Sequence, residues 1–266
     1  MKRNQLLLLG VVCVLVIVWV LVTMVYKWIS STFIPSPVDL YKSLRDLSSI
    51  LPSAIFASLK ITMTGLILGL VVGITMGLIM AYSKAFMDIA GPIMEFARPI
   101  PVFALIPLFM LWFGLGSSPQ VLLIALGVLA IMGVQTYEAI RNMPMVYIRA
   151  AFNLGATKQQ VFTSVVIPAI FPHLIGAIRV AAASAWGLDV AAEFMGVQVG
   201  LGYTMIIQQV YLNTPGIVVL VFIYSILAIL LDKLIQYAQA QLTRWTERAQ
   251  VSFEGLVAVR KAAEGA

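Results

Sequence analysis

Residues 149–160 read Arg149-Ala150-Ala151-Phe152-Asn153-Leu154-Gly155-Ala156-Thr157-Lys158-Gln159-Gln160, and this polar, helix-forming stretch decides how the chain is interpreted. Pro144 upstream can occupy the first position of a helix, and Gly155 can supply the left-handed residue that ends it. Thr157 and Gln160 have the spacing of a capping box, which starts a second helix at once. We predict a helix, a glycine corner and a second helix outside the apolar part of the protein, forming a surface for a partner.

The composition around this stretch is that of an integral membrane protein. Hydrophobic residues make up 61% of the 266 residues and charged residues only 11%, too few to cover a soluble surface. The formal net charge of +6 is dispersed in ones and twos rather than gathered on one face, which argues against nucleic-acid binding. Cys13 is the single cysteine, so the chain offers neither a disulfide framework nor a cysteine metal site.

Apolar windows with few or no charges predict an all-α, polytopic membrane protein with six transmembrane helices, because one crossing needs roughly 20 apolar residues. The windows are residues 6–26, 61–82, 168–193 and 216–231, together with 99–137, which a turn cluster at 114–119 divides into two helices. The first window is too long for the apolar core of a signal peptide and no small-residue cleavage site follows it. We interpret it as a retained helix.

Six crossings place both termini on one side, and the basic residues indicate which side that is. Only Lys27, Lys42, Arg45 and Lys60 fall on the side away from the termini. The bases on the side of the termini are Lys2, Arg3, Lys84, Arg98, Arg141, Arg149, Lys158, Lys233, Arg244, Arg248, Arg260 and Lys261. The termini and the polar loop at about 138–168 are therefore predicted to be cytoplasmic.

The chain is predicted to divide into three parts. An N-terminal transmembrane helix (1–30) is followed by a transmembrane core (31–237) and a cytoplasmic tail (238–266), whose start continues the sixth span as a helix. Between the first two spans, Ser36-Pro37-Val38-Asp39 predicts the capped start of a short amphipathic helix at the outer interface.

Several stretches in the right order resemble the permease subunits of bacterial type I ABC importers, and in particular their taurine, aliphatic sulfonate and nitrate branch. Within the loop, Ala150-Ala151, Gly155 and Val165-Val166-Ile167-Pro168 match the EAA motif of that family, with Arg149 in place of the motif glutamate. The other matches are Arg98-Pro99-Ile100-Pro101-Val102-Phe103-Ala104-Leu105-Ile106-Pro107-Leu108, Leu111-Trp112-Phe113-Gly114-Leu115-Gly116, Gly176-Ala177-Ile178-Arg179, Ala191-Ala192-Glu193 and Gly200-Leu201-Gly202.

The resemblance implies a pathway-forming subunit of the bacterial cytoplasmic (inner) membrane that is not itself an enzyme. It implies a second permease copy, most simply in a homodimer, two ATP-binding ATPase subunits on the cytoplasmic side and an extracytoplasmic solute-binding protein. The residues that it assigns to ATPase coupling are Arg149, Ala150, Ala151, Phe152, Leu154, Gly155, Ala156 and Thr157. ATP and Mg would bind the partner ATPase and no cofactor this chain, which has no Gly-Lys dipeptide and hence no Walker loop.

The cargo that the resemblance implies is a small organic anion such as taurine or another alkanesulfonate, or nitrate. Members of that family also carry a thiamine precursor or aromatic acids, and no residue of this sequence identifies the solute.

Three ionisable residues, Arg179, Asp189 and Glu193, lie within the fifth predicted span, where burying charge is costly enough to indicate function. Asp189 and Glu193 are four residues apart and therefore share a helix face. They either line or gate the translocation pathway, or they hydrogen-bond neighbouring helices while Arg179 snorkels. An acidic face would repel an anionic solute, so the second interpretation is favoured.

Three prolines, Pro99, Pro101 and Pro107, lie in the third predicted span and would break its backbone hydrogen bonds unless neighbouring helices or a cavity satisfy the carbonyls. Kinks that face a dimer axis would shape a pathway, and simple kinking is the alternative. His173, the only histidine, is predicted to make an interfacial hydrogen bond rather than to bind a metal. A stripe in the second span permits tight helix packing: Gly65, Gly69, Gly73 and Gly77.

Two other classes of function remain open from the residues alone. An ATP-independent secondary transporter or channel would use Arg179, Asp189 and Glu193 as ion or proton sites, and would move solute without an ATPase. A membrane-embedded enzyme is the weaker alternative, because no paired catalytic histidines, serine with a basic partner or metal cluster is present in the sequence.

Overall fold

The structure is a computed structural model that describes residues 2–26, 30–97, 99–194 and 198–243, and no strand occurs within these ranges. Helix α1 (Lys2–Val20) runs into a π-helical turn at Leu21–Val25. Arg98 and residues 244–266 of the predicted tail lie outside the described residues.

The remaining helices follow one another with short connections. They are α2 (Pro37–Leu47), α3 (Leu51–Tyr82), α4 (Lys84–Ala97), a 3₁₀ turn at Val102–Leu105, α5 (Ile106–Phe113), α6 (Ser117–Arg141), α7 (Met145–Asn153), α8 (Lys158–Val161), a π-helical turn at Phe162–Val166, α9 (Ile167–Glu193), α10 (Leu201–Val210) and α11 (Thr214–Leu242).

Four of these segments are long and apolar enough to cross a membrane: Leu51–Tyr82, Ser117–Arg141, Lys158–Glu193 and Thr214–Leu242. A fifth crossing is possible only as a bent pair, Lys84–Ala97 with Val102–Phe113, whose axes differ by 89°. At the N-terminus the apolar helix Cys13–Val25 is shorter than these. The all-α, polytopic fold is confirmed, whereas the count of six straight transmembrane helices is not.

The third predicted span is the place where the structure differs most from the prediction. A proline inside a helix removes a backbone hydrogen bond, and in this region one helix ends and another begins around the prolines. Pro101 precedes the 3₁₀ turn with an extended ψ of 108°, and Pro107 lies in the first turn of α5. Helix α5 has only 8 residues, a length of about 12 Å against a hydrocarbon core of about 30 Å.

Two helices extend beyond the apolar windows that predicted them. Helix α3 starts at Leu51 rather than 61, so that Lys60 lies inside it, and Pro52 occupies its first turn, where a missing N–H costs nothing. Helix α11 runs on to Leu242, which agrees with the predicted helical continuation of the sixth span.

The predicted glycine stripe holds α3 against α6. A Cβ atom placed on Gly65, Gly69, Gly73 or Gly77 would fall 2.6 to 2.9 Å from a side-chain Cβ atom of α6. The four facing residues are Ile124, Val128, Met132 and Thr136, all fully shielded from solvent at 0% exposure. The two helix backbones are therefore as close as the side chains of α6 allow, and α3 and α6 form one tightly packed pair.

The core continues from this pair onto α9. Ile170, Ala181 and Ala185 of α9 are buried in the same cluster as Ile124 and Val128, and the cluster extends to residues beside α7 and α8. A second cluster joins α2, α10 and α11 around Leu201 and Leu220 at the other end of the bundle. We refer to the end that carries α7 and α8 as the hairpin end and to the other as the α10 end.

The short helix α2 has the predicted capping box. The Asp39 backbone N–H donates to the Ser36 hydroxyl over 3.3 Å, and the Ser36 N–H donates to Asp39 Oδ2 over 3.1 Å. The hydrogen bond that Asp39 accepts from the Ser36 side chain lowers the pKa of the Asp39 carboxyl.

Candidate functional site

The loop between α6 and α9 is a helical hairpin, residues 145–166, as predicted. Its first arm is α7, and its second arm is α8 with the π-helical turn that follows it. Gly155 has a φ of +83°, the left-handed conformation in which glycine is favoured. The Ala156 N–H then donates to the Ala151 carbonyl over 3.1 Å, closing α7 in the manner of a Schellman motif. The second arm begins with the predicted capping box, in which the Thr157 N–H donates to Gln160 Oε1 over 2.8 Å.

The first arm begins one residue later than predicted. Pro144 precedes α7 rather than standing in its first turn, because its ψ of 120° is extended although the ring fixes φ at −57°. Buried Met143 anchors this entry to the core formed by α6 and α9. The hairpin therefore leaves the bundle from a fixed point.

The hairpin carries apolar side chains on the surface of the single chain. Leu154 is 88% exposed and Phe152 47% exposed, and both were assigned to coupling by the family resemblance. Arg149, Ala150, Gly155 and Thr157 are also exposed, whereas Ala151 and Ala156 are half-buried against the core. Phe152 and Leu154 precede the candidate span that begins at Lys158, and exposed apolar residues outside the membrane spans are typical of a protein–protein contact.

The second feature lies at the α10 end, where a carboxylate is hydrogen-bonded to the start of α10. We call this group of contacts, formed by Glu193, Ser58, Leu201 and Gly202, the clasp. Glu193, at the last position of α9, accepts a hydrogen bond of 2.6 Å from the Ser58 hydroxyl and another of 2.6 Å from the Gly202 N–H. The Ser58 hydroxyl in turn accepts one of 2.9 Å from the Leu201 N–H. The first N–H groups of a helix have no intrahelical partner and attract negative charge, so Glu193 both caps α10 and ties it to α9.

The glycines around this clasp make room for it. Gly200 has a φ of +141°, and a Cβ atom there would collide with the Glu193 carboxyl group. At Gly202 a Cβ atom would lie 2.9 Å from the Cβ atom of Glu193. The motifs Ala191-Ala192-Glu193 and Gly200-Leu201-Gly202, which the sequence presents separately, are two halves of one contact.

Asp189 and Tyr224 extend the clasp to α11. The Tyr224 hydroxyl lies 3.2 Å from Glu193 Oε2 and 3.3 Å from Asp189 Oδ2. A phenol has one proton to donate, so it serves one of the two carboxyl groups at a time. Among the residues that the structure describes, Asp189 Oδ1 has no hydrogen-bond partner, and the Trp186 ring meets the Tyr224 ring edge to face at 5.8 Å.

Asp189 and Glu193 are each 0% exposed within the single chain, and the partners described above belong to α3, α10 and α11. This arrangement corresponds to the second of the two interpretations drawn from the sequence, contact with neighbouring helices. A role in lining the pathway stays a prediction for these two residues.

Arg179 has a partner that the sequence analysis missed. Its Nε donates to Asp232 Oδ1 over 2.6 Å and its Nη2 to Asp232 Oδ2 over 3.1 Å, a two-pronged ion pair between α9 and α11. The Gln236 amide adds a hydrogen bond of 2.6 Å to Asp232. Asp232 lies one residue beyond the predicted sixth span. An unpaired arginine inside a membrane span is costly, so the position of Arg179 in the fifth span could have indicated that an acidic partner lies nearby.

The remaining predicted residues lie on the surface of the single chain. Pro99, Pro101 and Pro107 are exposed. Pro99 and Pro101 lie at the break between the two halves of the bent pair, and Pro107 lies in the first turn of α5, so the expected interruption of the helix is present. Their part in a pathway stays a prediction. His173 is exposed on the wall of a cavity of about 580 Å³ with Glu138 and Tyr147. Within the described ranges, no three His, Cys, Asp or Glu residues are grouped as metal ligands.

The fold and these sites together define a class: a polytopic membrane protein with a helical hairpin at one end of an apolar helical bundle. The chain belongs to the family described as the inner membrane component of binding-protein-dependent transport systems, since residues 69–248 match that family. It is thus a multi-pass inner membrane protein from a family of transport permeases, which confirms the resemblance found in the sequence.

Curated relatives align with most of the chain. A probable ABC transporter permease protein of Brucella abortus (strain 2308) is 34% identical over 81% of this chain and 87% of its own length. The taurine transport system permease protein of Escherichia coli (strain K12) is 30% identical over 94% of this chain and 93% of its own. A putative aliphatic sulfonates transport permease protein of Bacillus subtilis (strain 168) is 28% identical over 85% and 82%, respectively.

Solved structures share the fold at low sequence identity. A chain of the MetNI methionine ABC transporter in inward-facing conformations aligns with a TM-score of 0.61 at 22% identity, covering 76% of this chain and 99% of that one. A chain of a bacterial alginate ABC transporter aligns with a TM-score of 0.56 at 15% identity, covering 91% and 96%. This likeness establishes the helical architecture.

Proposed function

We propose that this chain is the membrane-spanning subunit of an ATP-driven importer, forming the translocation pathway and receiving force from ATPase subunits at its hairpin. The observation that supports this most is the hairpin itself, a helix, a left-handed Gly155 corner and a capped second helix, with Leu154 and Phe152 exposed to water. Such an element is stiff enough to transmit displacement and apolar enough to dock in a groove of another protein.

The assembly we propose contains two copies of this chain, two ATPase subunits and one extracytoplasmic solute-binding protein. ATP and Mg bind the ATPase, and the hairpin end and both termini face the cytoplasm, as the distribution of basic residues indicates. The chain supplies the route and the mechanical coupling, and its partner carries out ATP hydrolysis.

The hairpin of this chain is basic, which bears on its partner. Residues 145–160 contain Arg149 and Lys158 and no acid, and Arg149 stands where the family motif has a glutamate. We propose that the matching ATPase presents a carboxylate, rather than a base, to the exposed Arg149 side chain. Arginine pairs well with a carboxylate because its guanidinium makes two parallel hydrogen bonds.

The cargo we propose is taurine or another small alkanesulfonate. Support comes from relatives described as taurine and aliphatic sulfonates permeases, one of which aligns with 94% of this chain. A relative described as a formylaminopyrimidine transport permease protein, 28% identical over 81% of the chain, makes a pyrimidine the alternative to be tested beside it.

Co-purification from membranes tests the proposal. The chain is co-expressed with its candidate partner ATPase, and the amount of ATPase retained per permease is measured for the wild type, Arg149→Lys and Arg149→Glu. We expect the lysine variant to retain the ATPase and the charge-reversed variant to lose most of it. Wild-type protein that retains no ATPase and moves solute by itself would instead establish the secondary transporter.

A further inference from the structure

Besides its apolar contacts with the core, the hairpin has a polar contact with the end of α3, through Lys158, the first residue of α8. The Lys158 ammonium donates a hydrogen bond of 3.1 Å to the backbone carbonyl of Tyr82, the last residue of α3. The final carbonyls of a helix lack intrahelical partners and carry partial negative charge. A lysine placed there satisfies one of these carbonyls and opposes the helix dipole at the same time.

The same ammonium also contacts the ring of Tyr82. Its nitrogen lies 4.3 Å from the ring centroid, within the range of a cation–π contact. Phe162, one turn further along the second arm, meets the same ring edge to face, with a centroid separation of 5.0 Å. Tyr82 is therefore held from two successive turns of the second arm.

Both sides of this contact, Lys158 and the end of α3, are held in place by their own helices. The Thr157 capping box fixes the start of α8, so the backbone of Lys158 has little freedom. Helix α3 is locked to α6 by its glycine stripe, and α6 leads through Met143 into the first arm. Both arms of the hairpin are thus fastened to one unit, the α3–α6 pair.

We propose that Lys158 is a positioning residue that fastens the second arm of the hairpin to the end of α3, so that displacement of the hairpin is passed into the α3–α6 pair. Without this contact the first turn of the second arm, which continues into α9, is no longer held at the end of α3, and part of the displacement is lost. This inference rests on the proposed function, since it concerns the route by which the hairpin delivers force.

Two measurements test it on the complex of this chain with its ATPase and binding protein in lipid. The first is the coupling ratio, the solute taken up per ATP hydrolysed in proteoliposomes. The second is amide hydrogen exchange at residues 79–82 and 157–162 of the purified membrane subunit. The variants are Lys158→Met, Lys158→Arg and Tyr82→Phe, with Lys84→Met as the matched control that removes a lysine charge two residues beyond α3.

We expect Lys158→Met to lower the coupling ratio about two- to fivefold, the factor that corresponds to losing one exposed cation–π contact. Exchange should become faster by a similar factor in both segments. Lys158→Arg keeps the cation and Tyr82→Phe keeps both the ring and the carbonyl, so both should behave as the wild type. Lys84→Met should also leave both readouts unchanged.

The proposal is overturned if Lys158→Met exchanges as slowly as the wild type, or if it exchanges faster while the coupling ratio is unchanged. It is equally overturned if uptake and ATP hydrolysis both fall in proportion to the ATPase retained while their ratio is unchanged, since Lys158 would then act in docking. Failure of the proposed function is seen separately, in the wild-type complex, as ATP hydrolysis that loaded binding protein does not stimulate.

Discussion

Replacing Glu193 with glutamine should loosen the start of α10 without removing any volume from the core. The carboxylate accepts hydrogen bonds from the Ser58 hydroxyl and the Gly202 N–H, one on each oxygen, and is 0% exposed. A glutamine amide has one oxygen, so its NH₂ group must face one of these two donors. The substitution therefore loses one charge-assisted bond and leaves a buried donor without an acceptor.

The size of the effect follows from these contacts. A hydrogen bond to a charged group contributes about 1.5–3 kcal/mol, and an unsatisfied buried donor costs about 1–3 kcal/mol. The glutamine amide can rotate to keep the better of the two hydrogen bonds, so we take about 2 kcal/mol as the net destabilisation. For a chain of this size that corresponds to a fall of about 4–8 °C in the unfolding midpoint.

The assay is thermal unfolding of the purified protein in lipid nanodiscs, with Glu95→Gln as the matched control. Glu95 is exposed on α4, so the same chemical change there should leave the midpoint within about 1 °C, as is usual for surface substitutions. Ser58→Ala, which also breaks the clasp, should destabilise by a similar amount. Equal midpoints for Glu193→Gln and Glu95→Gln would refute the clasp.

Three other changes have expected outcomes of their own. Gly155→Val should leave membrane insertion intact but lower the coupling ratio, because a left-handed residue with a side chain costs about 1–2 kcal/mol and the corner must shift; Gly155→Asn, which tolerates that conformation, should retain more coupling, and equal coupling in the two variants contradicts the corner argument. Gly69→Ala should lower the unfolding midpoint, since its Cβ atom would lie 2.6 Å from that of Val128, whereas Gly176→Ala meets nothing within 4 Å and should not. Because folding lowers the pKa of Asp39, the cap stabilises α2 above the ordinary carboxyl range of about 4, and this stabilisation is lost as the pH falls through the lowered value; the protection factors of the α2 amides, which are corrected for the intrinsic pH dependence of exchange, should therefore fall on acidification, and an Asp39→Asn variant with the same pH dependence contradicts this.

The parts that could be predicted from the sequence are those whose contacts are local. The Gly155 corner and the Thr157–Gln160 cap depend on residues within four positions of each other, and both are present in the structure. The stripe from Gly65 to Gly77 was recognisable from its spacing, although the helix that it contacts was not.

Contacts between distant residues could not be predicted in this way. Ser58 and Glu193 are 135 positions apart, and Arg179 and Asp232 are 53 apart. The sequence marks each as costly to bury but does not identify its partner, because the partner depends on how the helices pack. The prediction of the third span as one continuous helix was wrong for a physical reason. An uncharged run looks like one span, whereas the backbone breaks where Pro101 and Pro107 prevent a helix from continuing.

The central claim, that this chain couples a solute pathway to a partner ATPase, is tested most directly by ATP hydrolysis of the reconstituted complex. The chain, its ATPase and its binding protein are placed in liposomes, and hydrolysis is measured with the binding protein empty, loaded with taurine or another alkanesulfonate, or loaded with a formylaminopyrimidine. The account predicts that the sulfonate-loaded protein stimulates hydrolysis and drives uptake. Solute flux through this chain alone, with no association and no stimulation of the ATPase, would contradict it.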